Sequence, residues 1–169
     1  KIDPNKFDML FEIYHKALTT GMKSVKEFKT YLSLLDKYFN HMLQIGYVKL
    51  PDSRKPPLDG SDYTNTWNSM SSATQKVVIE RLNELAKTAQ QAKTLYPKEI
   101  EGYQYMCIFH RNMCMILHFQ NRENDNCREI SAHLSQAYVE LEYFELLGPN
   151  SNMVTILKND LNDLRKLIL

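Results

Sequence analysis

Four residues with soft or titratable side chains, Cys107, His110, Cys114 and His118, follow one another at intervals of three, four and four. On a helix these steps bring side chains to one side, and they are the intervals at which a helix offers ligands to zinc. A cysteine one turn from a histidine also suggests a thiolate nucleophile with an imidazole base. Each chemistry needs something more. A single straight helix seldom supplies more than two or three convergent ligands, and no CxxC or HxxxH pair elsewhere closes a tetrahedron; Cys127 and His133 are the nearest additions. A thiol in a helix interior among apolar neighbours has its pKa raised, away from the nucleophilic form. Cys107, His110 and Cys114 therefore stand only as metal-ligand candidates, no catalytic residue is assigned, and no cofactor is expected.

Glu129, Glu140, Glu142 and Glu145 suggest paired carboxylates, but the Glu-x-x-His tetrapeptide of ferritin-like sites is missing, and a solvated face accounts for them. No phosphate-binding glycine loop is present. A different kind of site is expected in residues 47–72. Periodicity disappears there, prolines and small polar residues take over, and Tyr47, Lys49, Arg54, Lys55, Tyr63 and Trp67 combine aromatic and basic character. That is the composition of interface anchors, and a long internal loop is commonly functional. These six are the partner-binding candidates. For Trp67 the alternative is that it folds back to cover the core, since tryptophan is highly buried on average.

The elements that must position these residues read as helices throughout. Residues 101–120 are apolar most of the way round, which predicts a central helix with neighbours on several sides. Before it, Phe7, Leu10, Phe11, Tyr14 and Leu18 form one stripe, and Val25, Phe28, Leu32, Leu35, Phe39 and Met42 a second. Val78, Leu82, Leu85, Ala89 and Ala92 form a third; Ile130 to Phe144 and Val154 to Ile168 continue the period after it. Start signals precede several runs: Asp3-Pro4, and capping boxes at Ser24–Glu27 and Ser72–Gln75. Gly21, Gly46 and Gly148-Pro149 supply stops. No sustained strand alternation occurs. The expectation is an all-α protein of about six helices, in an antiparallel bundle or a stacked helical-hairpin array. The helix pairs share no internal residue pattern, so no repeat family is assigned.

Composition limits function by exclusion. The 169 residues suit one helical domain spanning 1–169, expected to be cut from a longer protein because the chain starts without methionine and stops in an apolar run. With 21 basic against 20 acidic residues there is no strong nucleic-acid signal, and no apolar run is long enough for a membrane span. Three cysteines are an odd, sparse set that points to an intracellular, cytoplasmic or nuclear setting. The same count speaks against a secreted helical cytokine. The leading expectation is a protein–protein interaction domain (adaptor, scaffold or regulatory) that binds another protein or peptide. The alternative is a small-ligand- or metal-binding helical protein, with an enzyme as one form of it, and the weight is against an enzyme. Apolar surface beyond what six helices bury would go to a homodimer.

Overall fold

The computed structural model describes residues 4–21, 24–43, 61–120 and 126–168. Seven helices run through them: α1 (Pro4–Thr19), α2 (Val25–Leu43), α3 (Ser61–Ser69), α4 (Ser72–Leu95), α5 (Glu101–Gln120), α6 (Cys127–Leu147) and α7 (Asn152–Ile168). No strand occurs among the described residues, and the all-α expectation holds, with one helix more than expected. The long helices pack in a row, α1 on α2, α2 on α4, α4 on α5, α5 on α6 and α6 on α7.

First-turn chemistry sets most of the starts. α1 opens on Pro4, whose missing N–H has no partner to lose there, and Gly21 just beyond its end takes φ of 114°, a conformation that side chains rarely adopt. At α2 the Glu27 N–H donates to Ser24 Oγ at 3.4 Å, the serine half of the expected box. At α4 the cap is Ser71 rather than Ser72: its Oγ accepts from the Thr74 N–H at 3.1 Å. Gln75, expected to complete a box from Ser72, instead donates from Nε2 to the Trp67 carbonyl at 2.9 Å. Ser151 introduces α7, accepting from the Met153 N–H at 3.3 Å.

The expected loop at 47–72 is corrected by α3. This nine-residue helix carries Ser, Asp, Thr and Asn, which favour turns because their side chains compete for backbone hydrogen bonds. Its single tryptophan is decisive. Trp67 is 1% exposed, and α3 packs against α2 and α5, so burial of one large ring stabilises a segment whose local preference is weak.

α5 is the centre of the row. It touches α2, α3, α4, α6 and α7, and Cys107, Ile108, Cys114, Met115 and Ile116 lie at 0–1% exposure on different sides of it. Met106 and Met113 of the same helix are only partly buried. With neighbours all round, no single stripe describes its buried face. Close packing of α4 on α5 depends on Gly102. A Cβ there would lie 2.5 Å from Lys93 Cγ, 2.7 Å from Lys93 N and 3.0 Å from the Ala89 carbonyl oxygen, so two of the three obstacles are backbone.

Two stability outcomes follow from this packing. Trp67→Ala is expected to cost about 3–5 kcal/mol and to lower the thermal midpoint by several degrees; a midpoint unchanged by the substitution would remove α3 from the core. Gly102→Ala would gain about 1 kcal/mol in an open helix from propensity alone. Here the clash reverses the sign, and denaturant melts should show a loss. A stabilised variant would mean that α4 and α5 separate freely.

Candidate functional site

The Cys/His series does not assemble into one site. Cys107 and Cys114 are wholly buried, and burial raises both thiols to about 12, so neither is a nucleophile near neutral pH. Cys114 Sγ donates to the Ile130 carbonyl at 3.5 Å, tying α5 to α6. His118 is half-buried beside Phe119, away from this contact. His110 makes a hydrogen-bond-distance contact with a group of ligand type. Its Nδ1 lies 2.9 Å from Nδ1 of His133 on α6, with the Phe109 ring edge-on to both imidazoles. One Nδ1 must carry the proton and the other accept it. Among the described residues no three His, Cys, Asp or Glu side chains are placed to hold one metal ion. The half-site expected from Cys107, His110 and Cys114 is therefore not brought together.

Buried charges that spacing did not reveal lie on α5 and on the helices around it. Arg111, 4% exposed, donates from Nη1 to Asp160 Oδ2 on α7 at 2.8 Å and from Nε to Asn112 Oδ1 at 3.1 Å; Asp36 Oδ1 on α2 lies 3.9 Å from Nη2. Glu140, read above as part of a solvated face, is 6% exposed and bonds Lys93 Nζ at 2.6 Å. The Lys93 ammonium also lies 5.3 Å from the centre of the Tyr103 ring. A single arginine or glutamate inside an apolar run was the available signal for both pairs. These charges are enclosed, and their geometry serves packing.

An accessible arrangement lies at the other end of the row. Asp8, Phe11, Glu12 and His15 from α1, Tyr31 from α2, and Glu80, Arg81 and Glu84 from α4 line a cleft of about 490 Å³. Successive turns of α1 and α4 supply the rims, as the i, i+4 steps Asp8–Glu12 and Glu80–Glu84 require. The floor is aromatic: Phe11 and Tyr31 are each 1% exposed and meet edge to face with centroids 6.4 Å apart. Tyr31 Oη donates to Glu84 Oε1 at 3.2 Å, and His15 Nδ1 lies 3.1 Å from the same oxygen. Burial, followed by the nearby Glu84 charge, raises the Tyr31 phenol, so it stays a donor. Arg81 lies across the floor, its Cζ 4.4 Å from the centre of the Phe11 ring and its Nη2 donating to Asp8 Oδ1 at 3.0 Å. Four carboxylates against one guanidinium and a histidine leave the lining with an excess of negative charge.

Sequence reading missed this cleft because its residues are scattered over three stretches, the first and last about seventy positions apart; i, i+4 acidic pairs gave only a faint signal. Of the six expected partner-binding residues, Tyr47, Lys49, Arg54 and Lys55 lie outside the described residues. Tyr63 is on the first turn of α3, with its side chain outside the described set. Trp67 is buried, and its ring is in the core instead of at a binding surface. A second exposed feature is an apolar strip on α6, where Val139, Tyr143 and Leu146 are 44%, 52% and 75% exposed. No helix among the described residues is long and apolar enough to cross a membrane. Comparison with protein-family models, with curated proteins and with solved structures finds no match, so function is argued from this geometry.

The histidine pair gives a pH dependence of definite sign. Burial, then the His133 and Lys93 charges, lower His110 from 6.5 to about 4, and burial lowers His133 as well. Below pH 6.5 the unfolded chain takes up a proton that the folded chain refuses. The folded state is therefore favoured fully above that pH and loses stability as pH falls toward 4, by on the order of 3 kcal/mol from His110. Melting wild type and His110→Gln side by side from pH 7 to 4 should show the wild type falling more steeply. Parallel curves would rule out a neutral buried pair.

Proposed function

We propose that this chain is a helical interaction domain of adaptor, scaffold or regulatory type, and that the cleft between α1, α2 and α4 is its recognition face. The observation that carries the reading is the convergence of four carboxylates at the rim of one accessible cleft. The other reactive groups found, the thiols Cys107 and Cys114 and the His110 imidazole, are buried and held neutral. Phe11 and Tyr31 belong to the core beneath the cleft, so the carboxylates of Asp8, Glu12, Glu80 and Glu84 are the groups a partner would meet. A small organic cation is the second reading, favoured by a cleft volume of about 490 Å³, within the range of ligand pockets. A reducing intracellular setting fits free thiols at Cys107, Cys114 and Cys127. A second copy of the chain would use the α6 strip around Tyr143 and Leu146.

Protein capture by the immobilised chain tests the reading. Glu12→Gln with Glu80→Gln should abolish capture of specific proteins while the thermal midpoint stays close to wild type, because both side chains are exposed and exposed charges contribute little to stability. Tyr143→Ser with Leu146→Ser, on the opposite part of the row, should leave capture intact. Capture lost with the α6 variant and kept with the cleft variant would move the recognition face to α6, and no specific capture by the wild type would defeat the interaction reading.

A further inference from the structure

We propose that the open side of α5 is a binding site for monovalent copper, Cu(I), with the Nδ1 atoms of His110 and His133 and the thioethers of Met106 and Met113 as ligands. α5 is buried nearly all round, and of its apolar residues only Tyr103, Met106 and Met113 are not buried. With His110, 9% exposed, these three follow at steps of three, four and three, so they share one side of the helix. Two thioethers thus stand one turn above and one turn below an imidazole. Side chains so spaced are neighbours, with Cβ atoms about 5–6 Å apart.

His133 brings the second imidazole over the same side from α6. At about 100° per residue, Met106 and Met113 lie between His110 and Phe109 around α5. The His133 ring meets both of those flanking rings, with centroids 5.1 Å from His110 and 5.9 Å from Phe109, so it sits over the methionine sector. Its Nδ1 is 2.9 Å from that of His110, and two nitrogens on one tetrahedral ion lie roughly 3.3 Å apart at metal–nitrogen distances of about 2.0–2.1 Å. The pair needs to open only slightly, and His133 is half-buried. Both imidazoles are neutral near neutral pH, the form that binds metals, because burial lowers each. The proton between them can move from Nδ1 to Nε2 of its own ring, which frees both Nδ1 lone pairs without a change of charge.

The donor set chooses the ion. Imidazole suits zinc, copper, iron and nickel, whereas a thioether is a soft ligand that selects Cu(I). Zinc needs further thiolate, imidazole or carboxylate donors, and among the described residues no three His, Cys, Asp or Glu side chains are placed to hold one ion. Cu(II) prefers a tetragonal set of nitrogen and oxygen donors, which two imidazoles and two thioethers do not provide. Local charge tolerates a single positive ion. The Lys93 ammonium, which acts on His110, is paired with Glu140 at 2.6 Å, and Glu129, one turn before His133 on α6, places negative charge near that ring.

The full chain, kept free of oxygen, is titrated with Cu(I) against bicinchoninate, whose copper complex is read by absorbance. One equivalent of Cu(I) should be withdrawn from the dye, and Zn(II) should bind at least ~10-fold more weakly. Met106→Leu with Met113→Leu should weaken Cu(I) binding ~10-fold or more, as should His133→Gln. The leucines keep the side-chain volume, so the thermal midpoint should stay close to wild type. Cys127→Ser, which removes the exposed thiol, should leave Cu(I) binding unchanged. In protein isotope-labelled at the methionine methyl groups, Ag(I), a redox-inert analogue of Cu(I), should shift two of the eight methyl resonances, those absent from the Met106/Met113 variant. Copper held undiminished by that variant, lost with Cys127→Ser, or matched by zinc would overturn the site. So would a chain that withdraws no copper, or silver shifts at other methionines.

Discussion

Arg111 sets the constraint that the middle of this protein obeys. A guanidinium in the interior of an apolar helix cannot be left without partners, since an unpaired buried charge costs several kcal/mol. Asp160 on α7 and Asp36 on α2 supply them from opposite neighbours, at 2.8 and 3.9 Å. The net contribution of such a group to stability is small, because desolvation offsets most of the attraction. Its consequence is positional: α2 and α7 must present those carboxylates at the level of Arg111, which fixes how each helix is placed along α5.

Around that point, packing and protonation work together. Gly102 lets α4 approach α5 to backbone contact, and Lys93 on the same stretch of α4 reaches past it to Glu140 on α6. The α5–α6 seam carries the His110–His133 pair and the Cys114 thiol. All three are held in their neutral forms by burial, so the seam contains titratable groups without buried charge near neutral pH. A single added proton leaves the histidine pair with one donor and one acceptor; a second would set two N–H groups against each other. Chemistry that appears reactive in a list of residues thus becomes structural once the helices close on it.

The α1 end of the row differs. α1 packs chiefly on α2, and the space between α1 and α4 stays open above Phe11 and Tyr31. The rings belong to the core and the carboxylates to the surface, and the cleft is where the two meet. Charge at the rim over a rigid core beneath is the arrangement on which the proposed recognition face rests.

The sequence by itself determined the helical class, most helix starts and stops, and the central place of residues 101–120, because these follow from three-and-four spacing, capping side chains and prolines acting within a turn or two. It also marked Trp67 as a residue of consequence, without saying whether the ring faced in or out. Only the tertiary structure decided that α3 exists, since its polar residues carry no helical period and its stability comes from one ring buried against α2 and α5. The same holds for the charges. Whether Glu140 is solvated or paired, whether Cys107 and His110 share a site, and whether Glu12 and Glu84 face one another across a cleft depend on which helices become neighbours. Contacts over some seventy residues, such as Asp8 with Arg81, leave no local periodicity to read. They arise only when burial of the apolar faces has brought the two helices together.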